Sequence, residues 1–100
     1  MNILLCCGGG FSSSLLVEKM KKSAKEQGIN ATIWAVGETE VKEEIKKADI
    51  LLVAPQIRFY MPKFKEYAKE KNIPVELIQP THYGTCNGAE VLKFALNFLN

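Results

Sequence analysis

Residues 6–14 combine residue types that together bind and transfer small anions. Cys7 supplies a sulfur nucleophile, and three glycines, a phenylalanine and three serines follow it directly. A short apolar run precedes the cysteine, and apolar residues at helical spacing follow the serines. Cys7 therefore falls where a strand ends and a helix begins. Because a helix N-terminus offers free N–H groups and partial positive charge, this position favours a thiolate and a phosphoryl group attached to it.

We predict that the segment after Cys7, here named the cysteine loop, binds the phosphoryl group. Its glycines let the backbone fold tightly around a small anion, and its serine hydroxyls add hydrogen-bond donors. The predicted loop consists of Gly8, Gly9, Gly10, Phe11, Ser12, Ser13 and Ser14. The alternative is a buried structural cysteine followed by a flexible glycine turn. Cys6 is predicted to point to the opposite side and to pack, and Cys86 has no assigned role.

The cysteine loop contains no cation. Low-molecular-weight tyrosine phosphatases place an arginine six positions after their cysteine, and Ser13 occupies that position here. Those enzymes also protonate the leaving group with a carboxylic acid from a later loop, whereas residues 79–84 contain none and Glu38 lies at another rim. Without a guanidinium clamp, hydrolysis lacks transition-state stabilisation. We therefore expect the site to accept and hold a phosphoryl group, as a carrier does.

Composition limits the classes of function. The chain has 100 residues and a net charge of +2, with lysines and glutamates interleaved, so we expect one domain, residues 1–100, and no nucleic-acid surface. Three cysteines, two of them adjacent, do not form a disulfide framework, which favours a reducing, cytoplasmic setting. No apolar run is long enough to span a bilayer. The chain has one histidine and no Cys-x-x-Cys pair, so we expect it to bind no metal and no other cofactor.

Strand-like and helix-like segments alternate along the chain. The strands are predicted at residues 2–6, 31–36, 50–54 and 75–78, and the helices at 12–27, 40–47, 63–71 and 87–99, the last capped by Asn87. This order predicts an α/β fold, a four-stranded parallel open sheet with helices on both faces and a phosphatase-like cysteine loop after the first strand. In such sheets the ligand lies at the carboxyl ends of the strands.

Four further residues on the joints at this edge are predicted to form a rim around Cys7 or a partner surface. They are Gln56, Arg58, Tyr60 and Tyr83. Gln56 is either a donor to the phosphoryl group or the partner, or a turn residue after Pro55. The aromatic and basic cluster that includes Phe59 suits a docking rim, although Phe59 alternatively packs under the following helix. His82 is interpreted as a surface loop residue and Trp34 as core.

The run Cys7-Gly8-Gly9-Gly10-Phe11-Ser12-Ser13-Ser14-Leu15-Leu16-Val17 resembles the loop of the IIB components in the lactose/cellobiose (chitobiose) family of the bacterial phosphotransferase system. That loop usually reads cysteine, small residues, a hydrophobe, then Ser-Thr-Ser-Leu-Leu-Val. Ala54-Pro55-Gln56-Ile57 is similar to the family's Gly-Pro-Gln-Ile, Tyr60 follows at the family's spacing, and Tyr83-Gly84 precedes a terminal helix. The chain departs from the family pattern at Gly8, often serine, and at Gln79-Pro80, where an acidic residue is common.

The resemblance implies a sugar phosphotransferase. A IIA protein carrying phosphohistidine would phosphorylate Cys7, and the phosphocysteine would pass the group to a sugar held by the membrane protein IIC. The family's sugars imply a β-linked disaccharide such as cellobiose, chitobiose or lactose, and a cytoplasmic phosphoprotein that meets the permease at the membrane. Two alternatives stay open on the residues alone: a phosphatase-like hydrolase, and an anion-binding or redox module without enzymatic activity.

Overall fold

The computed structural model describes residues 1–7 and 10–99, with the side chains of residues 10–13 outside the described part. Four strands form one parallel sheet in the order β2-β1-β3-β4, with β1 at Asn2–Cys6, β2 at Thr32–Val36, β3 at Ile50–Val53 and β4 at Val75–Leu77. The central strands β1 and β3 are buried along almost their whole length. Their continuous apolar sequences are typical of parallel strands covered on both faces, and the predicted α/β sheet is confirmed.

The helices are α1 (Gly10–Glu26), α2 (Val41–Glu44), α3 (Met61–Ala68), α4 (Pro80–Gly84) and α5 (Gly88–Leu99). Three 3₁₀ segments extend them, at Ile45–Lys47, Pro55–Tyr60 and Lys69–Lys71. The connection from β1 runs to β2, and the next connection returns past β1 to β3. Because right-handed crossovers in opposite directions put their helices on opposite faces, α1 and α2 cover different sides of the sheet. The direction reverses between β1 and β3, so the switch point of the sheet lies beside Cys7.

Local signals in the sequence account for several helix ends. Asn87 caps α5, as predicted, because its Oδ1 accepts a hydrogen bond from the Glu90 backbone N–H at 3.2 Å. Gly28 ends α1 with φ at 68°, and the Ile29 N–H donates to the Ala24 carbonyl at 2.8 Å. The strand boundaries lie within one residue of the predicted ones.

Two predictions are wrong, one about a secondary-structure element and one about burial. The predicted loop that follows β4 is instead the short helix α4, with Pro80 in its first turn. Proline fits this position because backbone N–H groups in the first turn of a helix have no partner within the helix, so its missing N–H costs no hydrogen bond. Trp34 is half-buried at the outer strand β2 and not a core residue. Its indole N–H donates to Glu44 Oε1 at 3.1 Å, so the ring spans from the sheet to α2.

Helices α1 and α5 pack against each other at Gly88. A Cβ atom at this position would lie 2.5 Å from the Lys19 carbonyl carbon and 2.6 Å from the Met20 nitrogen. The backbones therefore approach more closely than any side chain allows. Since α1 begins at the cysteine loop, this contact helps to fix the helix that follows Cys7. Among the described residues, no helix combines the length and the apolar character needed to cross a bilayer.

Candidate functional site

Cys7 is the first residue after the central strand β1, at the carboxyl edge of the sheet. The strand is held on both sides at this point, because Cys6 pairs with Val36 of β2 and Val53 of β3. The Ala54 N–H also donates to the Cys6 carbonyl at 2.9 Å. Cys7 itself is only 5 % exposed. The thiol is therefore held at the switch point of the sheet, with little contact with water.

The cysteine loop is described in part. The backbone of Gly10, Phe11, Ser12, Ser13 and Ser14 forms the start of α1, so the predicted strand-to-helix junction is confirmed. Ser14 is exposed. Gly8 and Gly9, and the side chains of Phe11, Ser12 and Ser13, lie outside the described residues, so their contribution to phosphoryl binding stays a prediction.

One side chain from another joint contacts Cys7, and a second contacts that side chain. Tyr83 of α4 forms a hydrogen bond with the Cys7 side chain. Gln56, in the segment after β3, donates from Nε2 to the Tyr83 hydroxyl oxygen at 2.9 Å. Residues that follow β1, β3 and β4 thus form one chain of contacts at the carboxyl edge. Gln56 and Tyr83 were both predicted at this rim, although no local pattern indicated the bond between them.

The pKa of the Cys7 thiol is raised above its ordinary value of 9.0 because the thiol is buried. The hydrogen bond from Tyr83 acts in the other direction and lowers this pKa, but burial is the larger effect. The prediction that the helix N-terminus would favour the thiolate at Cys7 is therefore wrong for the resting protein. The sequence shows the helix that begins after Cys7 but not the desolvation that the packed sheet imposes.

The neighbouring thiol of Cys6 is still less acidic. Cys6 is fully buried, and its pKa rises to about 12, first through burial and then through the charges of Cys7, Glu38 and Glu40. The predicted packing role of Cys6 is confirmed. Cys86 lies beyond α4 and is partly exposed. Its backbone N–H donates to the Tyr83 carbonyl at 3.1 Å, so this residue ends the helix that carries Tyr83.

A groove of about 610 Å³ opens beside the Gln56–Tyr83 contact. It is lined by Pro55, Gln56, Arg58, Phe59, Pro80, Tyr83 and Gly84. Phe59 is 70 % exposed, so it does not pack under the following helix. Tyr60, predicted at the rim, is half-buried and stacks on Phe64, with ring centroids 5.4 Å apart. Pro80 and Gly84 were not predicted to line the site, because neither carries a reactive or charged group.

His82 is half-buried in α4 and does not line the groove, so the predicted surface loop is wrong for its secondary structure. Within the described part of the chain, no cluster of three or more histidine, cysteine, aspartate and glutamate side chains is arranged to hold a metal ion. Among the described residues, the site offers the thiol of Cys7, the phenol of Tyr83 and the amide of Gln56, and the adjoining groove adds the guanidinium of Arg58.

Solved structures share this fold. The lactose-specific IIB domain of the phosphotransferase system from Streptococcus pneumoniae superimposes with a TM-score of 0.87 at 19 % identity, over 97 % of this chain and 95 % of that one. The cellobiose-specific IIB protein from Borrelia burgdorferi gives a TM-score of 0.80 at 48 % identity, over 97 % and 89 %. A parallel sheet in the order β2-β1-β3-β4, with a cysteine after β1, thus defines the class as a IIB-type α/β protein.

Sequence comparisons agree. The family described as "PTS system, Lactose/Cellobiose specific IIB subunit" matches residues 2–94. The oligo-beta-mannoside-specific EIIB component of Bacillus subtilis (strain 168) is 42 % identical over 97 residues, which cover 97 % of this chain and 94 % of the relative. The galactose-specific EIIB component of Lactococcus lactis subsp. cremoris (strain MG1363) is 34 % identical over 103 residues, covering 98 % and 95 %.

The chain belongs to the lactose/cellobiose-specific IIB family of the phosphotransferase system. The resemblance seen in the sequence is confirmed, and so is the activity class: the chain is a phosphotransferase of sugar uptake. Membership of the family implies a IIA protein and a IIC protein as partners.

Proposed function

We propose that Cys7 carries the phosphoryl group between phosphohistidine of a IIA protein and a sugar held by membrane IIC. The observation that supports this most is the position of Cys7 at the switch point of the sheet, in hydrogen-bond contact with Tyr83. The adjacent Cys6 is fully buried, and its pKa of about 12 keeps it protonated and unreactive. Of these two neighbouring thiols, that of Cys7 is therefore the one suited to phosphoryl transfer.

The raised pKa of Cys7 fits acceptance from phosphohistidine. In the first transfer the phosphorus–nitrogen bond breaks and a sulfur–phosphorus bond forms. The thiol proton passes to the histidine nitrogen that leaves, so no external base is needed. In the second transfer the sulfur–phosphorus bond breaks, a bond forms to the sugar oxygen, and the proton of the sugar hydroxyl restores the thiol. Both steps balance with a thiol as the resting form.

Retention of the phosphoryl group between these steps follows from what surrounds Cys7. The segment whose side chain contacts Cys7, Pro80–Gly84, and the adjoining segment Pro55–Tyr60 contain no carboxylate to activate water or to protonate a leaving group. The charges of Glu38 and Glu40 raise the pKa of Cys6, and no carboxylate is among the groups that shift the pKa of Cys7. Burial of Cys7 also limits the access of water. We therefore propose that hydrolysis is slow compared with transfer to the next partner, and that the chain is not a phosphatase.

The groove beside Gln56 is the proposed docking surface for IIA and then for IIC. Exposed Phe59 offers an aromatic anchor, and exposed Arg58 offers a cation that pairs with acidic groups of a partner. Tyr60 supports Phe59 from the protein side, with ring centroids 4.7 Å apart. Since the two partners must alternate on one surface, each contact is proposed to be small and transient.

The proposed sugar is a β-linked disaccharide such as cellobiose, chitobiose or lactose, presented by IIC. Relatives named for oligo-beta-mannosides and for cellobiose support a β-linked substrate, whereas another is named for galactose. We also propose that residues 1–100 act as one IIB domain, located in the cytoplasm and associated with the membrane only through IIC.

The test is phosphotransfer reconstituted from phosphoenolpyruvate, the general phosphotransfer proteins and a panel of IIA proteins, followed by intact mass. We expect a gain of one phosphoryl mass in the wild type and in Cys6→Ala and Cys86→Ser, and no gain in Cys7→Ser. Phe59→Ala should keep the capacity for one phosphoryl group but slow its acquisition from IIA. An unchanged gain in Cys7→Ser would refute the assignment, and rapid loss of the group to water would favour the hydrolase.

A further inference from the structure

Groups of opposite charge flank Cys7 at the carboxyl edge of the sheet. Strand β2 ends beside Cys6, and Glu38 follows the last residue of that strand by two positions. Strand β3 ends on the other side of Cys6, and Arg58 follows five positions after its last residue. Neighbouring strands lie about 4.8 Å apart, so the ends of β2 and β3 are separated by about 10 Å, with β1 between them. The thiol of Cys7 therefore lies between an acidic and a basic segment.

The acidic segment follows β2. Residues 38–44 contain four glutamates and one lysine. The carboxylate of Glu40 is held at the end of the strand, because its Oε1 accepts a hydrogen bond from the Gly37 N–H at 3.4 Å. Glu38 is half-buried, and among the described residues it has no partner in an ion pair or a side-chain hydrogen bond. Its charge is therefore not neutralised within the described part of the chain and is free to attract a cation of another protein.

The basic segment follows β3. Residues 55–65 contain three cations and no carboxylate. Lys63 stands in the first turn of α3, which has no acidic residue, although the partial positive charge of a helix N-terminus repels cations. Arg58 and Lys63 are exposed, and within the described ranges neither forms an ion pair or a side-chain hydrogen bond. Cations placed at a local cost and without an internal partner are typical of a functional surface.

We infer that four of these charged groups form a polarised docking surface, which a IIA protein meets in one orientation only. The surface consists of Glu38, Glu40, Arg58 and Lys63. Basic groups of IIA then lie over the glutamates, and acidic groups lie over Arg58 and Lys63. This inference rests on the proposed function of Cys7 and deepens it, because it adds an acidic half to the docking surface and specifies the charges of the partner. Transfer needs nitrogen, phosphorus and sulfur in line, and opposite charges on either side of the sulfur favour a single alignment.

The polarised docking surface predicts that two opposite changes of net charge have the same effect. Arg58→Glu makes the chain more acidic and Glu38→Lys makes it more basic, yet each places like charges against IIA. We expect either reversal to raise the Kd for IIA by about fivefold in about 0.1 M salt. Lys25→Glu and Glu26→Lys are the matched controls. Both residues are exposed in the last turn of α1, about 22 Å along the helix from its start, so their reversal should leave Kd unchanged.

The experiment measures steady-state binding of the chain to a panel of immobilised IIA proteins by surface plasmon resonance. A Cys7→Ser background removes the transfer step, so only docking is observed. Arg58→Gln and Glu38→Gln remove one charge without reversing it and should raise Kd by about twofold. In about 1 M salt, where the Debye length is about 3 Å, the Kd values of all variants should converge. Thermal melting of each variant identifies any loss of fold.

Tighter binding of IIA by Glu38→Lys, or unchanged binding by Arg58→Glu, would overturn the polarised docking surface in proteins that melt normally. The same holds if no IIA protein binds, or if the wild type binds vesicles containing phosphatidylglycerol and loses that binding in Arg58→Glu while IIA binding is unchanged. Phosphorylation of Cys7 is scored separately by intact mass. Charge-independent docking with a normal gain of mass removes the surface and keeps the carrier, whereas the expected docking without any gain of mass does the reverse.

Discussion

The close contact between α1 and α5 predicts a large cost for one added methyl group, in Gly88→Ala. The new Cβ would lie 2.5 Å from the Lys19 carbonyl carbon, whereas ordinary contacts of a Cβ atom begin at 3.4 Å. The atoms that the new Cβ would meet include backbone atoms of α1, which cannot rotate away as a flexible side-chain end can. The two helices must therefore separate by about 1 Å, against the close packing of protein interiors.

The expected size follows from overpacking in other cores, which costs about 1–3 kcal/mol. Alanine's greater helix propensity offsets less than about 1 kcal/mol, because Gly88 stands at the first residue of α5. We expect a net loss of about 2 kcal/mol in the free energy of unfolding. For a chain of this length, that corresponds to a melting temperature lower by about 10 °C.

Urea unfolding and thermal melting measure this loss, and Gly84→Ala is the matched control. A Cβ atom at Gly84 meets nothing within 4 Å, and Gly84 lies in the helix α4. Its substitution should be neutral or stabilising by up to about 1 kcal/mol. If Gly88→Ala were as stable as Gly84→Ala, the helix crossing described above would be incorrect.

Three further predictions concern single groups. Cys6 stays protonated in the folded chain up to about pH 12 but ionises near pH 9.0 when the chain is unfolded. Because the unfolded chain then binds fewer protons than the folded chain, the free energy of unfolding should fall by about 1 kcal/mol between about pH 8 and about pH 10. Cys6→Ala should fall less over that range in urea unfolding, and an equal fall would contradict the shift. Hydrogen bonds from Lys47 and Trp34 hold the pKa of Glu44 below its ordinary value of 4.5. The stability that these bonds contribute is therefore present above pH 4.5 and is lost as the pH falls through the lowered pKa. The fluorescence emission of Trp34 should change with a midpoint below pH 4.5 and should not change in Glu44→Gln, and a midpoint at or above 4.5 would refute this. Cys86 has φ at 50°, so Cys86→Gly should raise the free energy of unfolding by about 1 kcal/mol by urea titration, whereas a decrease would contradict strain there.

Much of the sheet was predictable because its signals are local. The apolar run of β3 and the capping side chain of Asn87 each act within a few residues, and the structure confirms both. Helix α4 was not predictable in this way. Its sequence, Pro-Thr-His-Tyr-Gly, has no apolar period, and it places Tyr83 against a residue that is distant in the chain.

The candidate site was predicted in its residue types but not in its electrostatics. The sequence places Cys7 before a helix, yet the raised pKa comes from burial in the assembled fold. The exposure of neighbouring aromatic residues was also unpredictable. Ile57 departs from helical geometry, with φ −118° and ψ 26°, inside the segment that carries both rings. That kink changes the helical register, and Phe59 is exposed whereas Tyr60 is half-buried.

We propose above that one sulfur atom, that of Cys7, carries the phosphoryl group. Its most direct test is to phosphorylate the wild-type chain through IIA and to map the modified residue by fragmentation that preserves the sulfur–phosphorus bond. We expect a single phosphorylated residue, Cys7, with Cys6, Cys86 and His82 unmodified. A phosphoryl group found on His82 or on either other cysteine, with Cys7 unmodified, would contradict it.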